Sequence, residues 1–213
     1  TRTISWRYCR PATMANKELT AIFEQIADLL EITGADPFRV NSYRKAARSI
    51  DDLTEAVADL AATDRLKEIP GIGKSTSEKI IQYIRTGRVD LHQELLASVP
   101  KGLPALLEIP GLGPKKVQLF WKQLNVENAD DLLKAIDSGK AAELPGMGVK
   151  STEKIRAGIE FLRRSAGRTP LGIAWPLALM IIEELKTAAK VKHVEIAGSL
   201  RRGRETIGDI DLL

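Results

Sequence analysis

Apolar residues recur at helical intervals along most of this chain. Leu19, Ile22, Phe23, Ile26, Leu29 and Leu30 share one face of a helix that the run Gly34-Ala35-Asp36-Pro37 should end. Phe38 to Ile50 repeats the pattern with Val40, Tyr43, Ala47 and Ile50, and Leu53, Val57 and Leu60 carry it into a third segment. Residues 130–136, 151–162 and 177–185 continue it. The longest apolar stretch, Ile173 to Ile182, is interrupted by Pro176 and reads as a buried helix. Only after Lys192 do strands appear: residues 193–197 read as one and residues 210–213 as another, with a turn-rich segment between them. Ser165 to Pro170 is the best linker candidate and Gly87 to Asp90 a weaker one. The expected class is therefore mainly α, ending in the start of an α/β unit.

A short device interrupts this pattern three times. Residues 69–73 read Ile-Pro-Gly-Ile-Gly, residues 109–113 Ile-Pro-Gly-Leu-Gly, and residues 144–148 Leu-Pro-Gly-Met-Gly. Each copy leads into a helical segment that carries lysines, among them Lys74 and Lys79, then Lys115 and Lys116, then Lys150 and Lys154. The prolines are spaced by 40 and then 35 residues, so the copies are related units rather than a strict repeat. Proline ends the preceding helix, and the two glycines permit a tight turn with positive φ. The apolar residue between them anchors the turn, and the next helix starts with free N–H groups that suit an anion. Pro114 falls in a first helical turn, where its missing N–H costs little.

The pattern resembles the helix-hairpin-helix motif of DNA-binding proteins, closely in the first two copies. That resemblance implies that the hairpins grip the sugar-phosphate backbone through Gly71, Gly73 and Lys74, and through Gly111, Gly113, Lys115 and Lys116. It also implies a monovalent cation, Na⁺ or K⁺, on the carbonyls of Lys67, Ile69 and Ile72, and another on those of Leu107, Ile109 and Leu112. A plain Gly-Pro helical corner is the competing reading. For the third copy, packing alone is enough.

Composition narrows the class without deciding it. The 213 residues are 44% hydrophobic and 28% charged, which fits a globular protein with no membrane-length apolar run. Aromatic residues make up 5%, so the cores should be aliphatic, with Trp121 and Trp175 among the core residues rather than base-stacking platforms. The net charge of +4 tilts weakly toward an anionic partner. Cys9 is the single cysteine, which excludes an intramolecular disulfide and fits a reducing cytosol. Residues 1–13 have no helical period and no signal-peptide core; Met14 looks like a natural start and the preceding leader is left unassigned. His92 and His193 have no clustered ligands and do not indicate zinc.

The densest chemistry lies at residues 198–213, Gly-Ser-Leu-Arg-Arg-Gly-Arg-Glu-Thr-Ile-Gly-Asp-Ile-Asp-Leu-Leu. Asp209 and Asp211 are two apart on an apolar run, and on a strand their side chains share one face. Paired carboxylates repel unless a cation lies between them, and hard divalent ions take such oxygens and bridge them to phosphates. The Gly198-Ser199 turn offers N–H groups and a hydroxyl to a phosphate, and Arg202 offers a charged fork. Asp209 and Asp211 as mere flanks of a turn is the bland alternative. For Arg201, solvated surface charge is the better reading.

Helical DNA-gripping units upstream of Gly-Ser and Gly-Asp-x-Asp resemble the family X DNA polymerases in their bacterial version, over residues 15–213. Asn41-Ser42-Tyr43-Arg44-Lys45-Ala46-Ala47 is also typical of that family's N-terminal domain. The resemblance implies a helical domain over 14–92, a fingers-like helical domain over 93–166 and the start of a nucleotidyltransferase palm over 167–213. It implies that Asp209 and Asp211 are two of three ligands to Mg²⁺ or Mn²⁺, and that Ser199, Arg202 and Gly208 touch the triphosphate of an incoming dNTP. It makes Lys79 the Schiff-base nucleophile of a 5′-deoxyribose phosphate lyase, with Arg39, Tyr43 and Lys67 lining its phosphate pocket. Ser75 and Arg39 depart from the lysines expected at those two positions, so Lys79 as a simple phosphate contact stays open. The implied setting is a bacterial cytoplasmic DNA repair enzyme, monomeric, acting on gapped or nicked duplex. Its third carboxylate would follow residue 213, so the expectation is that these residues alone bind DNA without extending a primer. A non-catalytic helix-hairpin-helix binding module is the alternative, and it has no need of the acidic turn.

Overall fold

The computed structural model describes residues 12–165, 167–188, 191 and 193–213. Cys9 and most of the leader lie outside them. The chain forms two compact units, one ending at Gly158 and one beginning at Ile159, where the sequence suggested divisions after residues 92 and 166.

The first unit is all helical. α1 (Ala12–Thr33) and α2 (Pro37–Asp51) pack as a long antiparallel pair, joined by a turn in which the Asp36 side chain accepts the Phe38 N–H at 3.0 Å and Pro37 starts the next helix. α3 (Val57–Ala62) and a 3₁₀ turn at Leu66–Glu68 lead to the first hairpin and α4 (Lys74–Thr86). The core is aliphatic, as expected, around Leu19, Phe23, Ile26, Leu30, Ala46, Ala47, Ile50 and Ile80. Tyr43 joins it edge-on to Phe23, with ring centroids 5.8 Å apart. Gly87 is not a linker but the left-handed cap of α4, its N–H bonded to the Tyr83 carbonyl at 2.7 Å, and Val89 beside it is fully buried.

α5 (Asp90–Ser98), α6 (Leu103–Leu106) and α7 (Pro114–Leu124) follow, and both α5 and α7 pack back onto α1. α8 (Ala129–Asp137) starts on the Asn128 side chain, which accepts the N–H groups of Asp130 and Asp131, both at 3.0 Å. A second 3₁₀ turn at Lys140–Glu143 leads to the third hairpin and α9 (Val149–Ser165).

The second unit has a small core of Ala174, Ala178, Leu200 and Ile207. Its strands begin earlier than expected: β1 (Thr169–Pro170) pairs antiparallel with β2 (Thr206–Ile207), so part of the proposed linker is sheet. α10 (Leu171–Ala188) starts well before residue 177 and runs through Pro176. The proline removes one N–H bond, and Gly172, whose carbonyl loses that donor, is exposed to water. α10 is not the buried helix its composition suggested. It buries Ala174, Ala178 and Ile182, while Ile173, Leu177, Leu179 and Met180 are exposed and Trp175 is 41% exposed. Trp121 is half-buried, with Lys122 Nζ 3.9 Å from its ring centre. The short helix α11 (Gly198–Arg201) precedes β2. Among the described residues no helix is long and apolar enough to cross a membrane.

Candidate functional site

The three Pro-Gly turns adopt one backbone geometry. In each, the N–H of the residue after the first glycine bonds to the carbonyl three residues earlier: Ile72 to Ile69 at 3.1 Å, Leu112 to Ile109 at 3.0 Å, and Met147 to Leu144 at 3.0 Å. The first glycines, Gly71, Gly111 and Gly146, have φ of +84°, +83° and +72°, a region L-residues rarely enter. The third copy thus shares the backbone geometry of the first two. Ile69, Ile72, Ile109 and Leu112 are buried and fasten the first two turns to the core. A full Ile→Ala truncation at such a site costs about 2–5 kcal/mol.

Beside the second hairpin, α9 packs closely. A Cβ on Gly158 would stand 3.1 Å from the Ile109 side chain. Lys116 Nζ donates to the Gly111 carbonyl at 2.9 Å, and Lys115 is exposed at the start of α7.

At the first hairpin the sequence-predicted residues converge. A groove of about 870 Å³ is lined by Arg39, Ser42 and Tyr43 from α2, by Lys67 and Glu68 from the 3₁₀ turn, by the hairpin including Gly71 and Gly73, and by Lys74 and Lys79 from α4. Helical spacing explains the convergence: Arg39 and Tyr43 are one turn apart on α2, and Ser75 and Lys79 one turn apart on α4. Lys79 Nζ donates to the Ser75 Oγ at 2.9 Å and to the Ser75 carbonyl at 3.2 Å. Tyr83, one turn on, is buried and donates its hydroxyl to Glu18 at 2.6 Å. Four cations face the groove against one carboxylate, Glu68, which is itself paired with Arg65 Nε at 3.0 Å. Arg39, Lys67 and Lys74 carry no ion pair among the described residues, so their charge is available to an anion.

The hydrophobic pattern hid one surface feature here. Phe38 is 82% exposed at the first turn of α2, next to Arg39. Counted as part of an apolar segment, it lies off the buried stripe of Val40, Tyr43, Ala47 and Ile50, and that mismatch was the available signal.

In the second unit, residues 195–197 and 211–213 pair antiparallel through Glu195 and Leu213, at 2.7 and 3.0 Å, and through the Ala197 N–H to the Asp211 carbonyl at 2.9 Å. This ladder brings Gly198 against Asp211. Gly198 has φ of +57°, and a Cβ there would fall 1.6 Å from the Asp211 carboxylate. The carboxylate occupies the volume that any larger residue would need. Asp209 lies in an exposed bend before the pairing starts, so the two carboxylates do not share a regular strand as the spacing suggested. Arg202 is exposed at the end of α11 and Gly208 is exposed in the turn. Ser199 Oγ is shielded from solvent and has no hydrogen-bond partner among the described residues.

Pattern reading also missed Arg168, which it placed in a linker. Arg168 donates to Thr206 Oγ1 at 2.9 Å and to the Thr206 carbonyl at 2.6 Å, with a guanidinium nitrogen 3.6 Å from where a Gly208 Cβ would be. The donor set of Asp209 and Asp211 is all oxygen, which suits a hard divalent ion. Among the described residues no group of three or more His, Cys, Asp or Glu gathers to complete such a site. His92 pairs with Gln25 at 2.8 Å and His193 with Glu195 at 3.0 Å, neither in a ligand cluster.

Residues 14–89 match the family described as a helix-hairpin-helix domain, and residues 103–160 match a SAM-like helix-hairpin-helix tandem. The tandem spans both the second and the third hairpin. Over 200 residues, 94% of the chain, the sequence is 36% identical to the DNA polymerase/3′-5′ exonuclease PolX of Bacillus subtilis (strain 168). The chain belongs to the family X DNA polymerases. More distant members include the DNA polymerase lambda of Arabidopsis thaliana, 25% identical over 93% of the chain, and the DNA nucleotidylexotransferase of Ambystoma mexicanum, 26% identical over 96%. The chain covers 35%, 34% and 38% of these three relatives, about a third of their length.

Proposed function

We propose that this chain is the DNA-holding part and the start of the palm of a family X DNA polymerase that fills gaps in DNA by joining a dNTP to a primer 3′-hydroxyl. The observation that carries the reading is the fit of Asp211 against Gly198, which ties the Gly-Ser turn to the acidic segment within the second unit. A module that only binds DNA has no use for that arrangement.

The proposed division of labour follows from the side chains. The hairpins hold backbone phosphates through N–H groups at Gly73 and Gly113 and through Lys74, Lys115 and Lys116, so binding is indifferent to base sequence. The hairpin carbonyls of Lys67, Ile69 and Ile72, and of Leu107, Ile109 and Leu112, are the candidate seats for Na⁺ or K⁺. Asp209 and Asp211 would hold Mg²⁺ or Mn²⁺, which when bound supplies charge neutralisation at the attacking and leaving oxygens. Arg202 neutralises triphosphate charge, and Gly208 lets the backbone approach it. Ser199 takes part once its shielded hydroxyl rotates toward the phosphate. The test is primer extension on a gapped duplex by the full-length protein. Asp211→Asn should abolish extension while leaving DNA affinity within about twofold, since a turn carboxylate contributes little to phosphate binding; retained extension would overturn the reading.

A second activity is supported by the groove at hairpin one. Lys79 as an amine nucleophile would condense with the aldehyde of a 5′-deoxyribose phosphate, losing water to form an imine, and β-elimination would then release the 5′-phosphate strand. Arg39, Tyr43 and Lys67 line the same groove and would take the phosphate. Borohydride should trap a covalent protein–DNA adduct that Lys79→Ala loses. An adduct that survives the substitution rules Lys79 out.

A further inference from the structure

Three hairpins share one backbone geometry, but only one has its first glycine covered. A Cβ on Gly111 or Gly146 would meet nothing within 4 Å. A Cβ on Gly71 would stand 2.8, 2.9 and 3.1 Å from Cγ, Cδ and Cε of Lys45. The stem of Lys45 therefore lies along the outer surface of the first hairpin, and only a glycine leaves room for it. One turn further along α2, Ser49 Oγ donates to the carbonyl of Pro70 at 2.6 Å, fixing the hairpin to the helix that carries Lys45. Residues 45 and 49 lie on one helix face, so α2 supports the hairpin at two adjacent points.

Two other basic residues of α2 are committed differently. Arg44 pairs with Asp28 at 3.3 Å and with Glu31, both on α1. Arg39 lines the groove. Lys45 is not among the residues that line the groove at the first hairpin, has no ion pair among the described residues, and is exposed. A long side chain whose stem packs on apolar or backbone surface and whose ammonium is left in water is arranged to offer charge rather than to consume it. Packing fixes the stem, so less rotamer entropy is lost when the ammonium meets a ligand.

We propose that Lys45 is a DNA-phosphate contact of the first hairpin, one that the second and third hairpins lack. It rests on the reading that the hairpins bind DNA. The stem, seated on Gly71, holds the ammonium at the hairpin's rim, outside the groove that holds Lys67, Lys74 and Lys79. The first hairpin thus engages one more backbone phosphate than the other two.

The experiment is binding of the whole chain to a fluorescein-labelled gapped duplex across a salt series. Lys45→Met keeps the stem and removes the charge. It should weaken binding equally for duplexes of different sequence and make the slope of log K against log salt shallower by about 0.9, one phosphate contact's worth. Lys45→Arg should keep the wild-type slope. If Lys45→Met binds with wild-type affinity and slope, the proposal is wrong. It fails equally if only Lys45→Ala weakens binding, because that isolates packing. A wild-type chain whose DNA binding does not respond to salt would instead overturn the DNA-binding reading itself.

Discussion

At Gly198 a single missing side chain decides whether the Asp211 carboxylate has a place. The glycine sits at φ +57°, and Asp211 fills the space a Cβ would take. Gly198→Ala therefore adds two penalties: a left-handed backbone, worth roughly 1–2 kcal/mol, and displacement of Asp211. Among the described residues, the buried core cluster of the second unit is Ala174, Ala178, Leu200 and Ile207, so it has little stability to spare. The expected result is faster amide exchange across residues 195–213 with the first unit unchanged. Wild-type protection in the variant would show that Asp211 moves aside freely. The motif was legible in the sequence because Gly-Ser and Gly-Asp-x-Asp are local strings. That the glycine is required by a residue thirteen positions later was not, since it depends on the pairing of 195–197 with 211–213.

Elements were legible where one periodicity ruled them. α1, α2 and α8 follow their apolar stripes, and the three hairpins follow their Pro-Gly strings. Reading failed where composition and exposure part company. The apolar run of α10 predicted a buried helix, yet Ala174, Ala178 and Ile182 are its buried residues, Leu171 packs against the core, and Ile173, Trp175, Leu177, Leu179 and Met180 meet solvent. A bland pair also went unread: His92 on α5, nearly buried, against Gln25 on α1 at 2.8 Å. Burial of the ring pushes its pKa below the usual histidine value. The sign then follows from linkage. As pH falls, the unfolded chain takes up this proton before the folded one, so stability is intact above about 6.5, the unfolded value, and declines as pH drops below it. The decline ends below the folded pKa. The urea midpoint should fall between about pH 7.5 and about pH 5.5, and His92→Gln should flatten that dependence. An unchanged dependence in the variant would assign it to other groups. Asp28 runs the other way: burial of its carboxyl outweighs the lowering by Arg44 and raises its pKa, so its contribution to stability falls as pH rises.

Across the whole chain, a net charge of +4 says little, because its 28 acidic residues nearly balance 32 basic ones. What matters is where pairing leaves charge unspent. Asp28 and Glu31 are taken up by Arg44, Glu55 and Glu68 by Arg65, and Asp137 by Arg156. Lys134 and Lys186 are likewise paired, with Asp131 at 3.4 Å and Glu183 at 3.1 Å. Among the described residues, Arg39, Lys67 and Lys74 of the groove at the first hairpin are free of such pairs. Two double variants with the same change in net charge should then behave differently toward DNA. Lys67→Gln with Lys74→Gln removes the two proposed phosphate contacts and should make the salt slope shallower by about 1.8, twice the 0.9 expected per contact. Lys134→Gln with Lys186→Gln leaves two carboxylates unpaired at exposed sites, where ion pairs contribute at most about 1 kcal/mol, and should leave the slope as in the wild type. Equal slopes in the two variants would mean that overall charge alone draws DNA to this protein and that the hairpin groove has no special part in holding it.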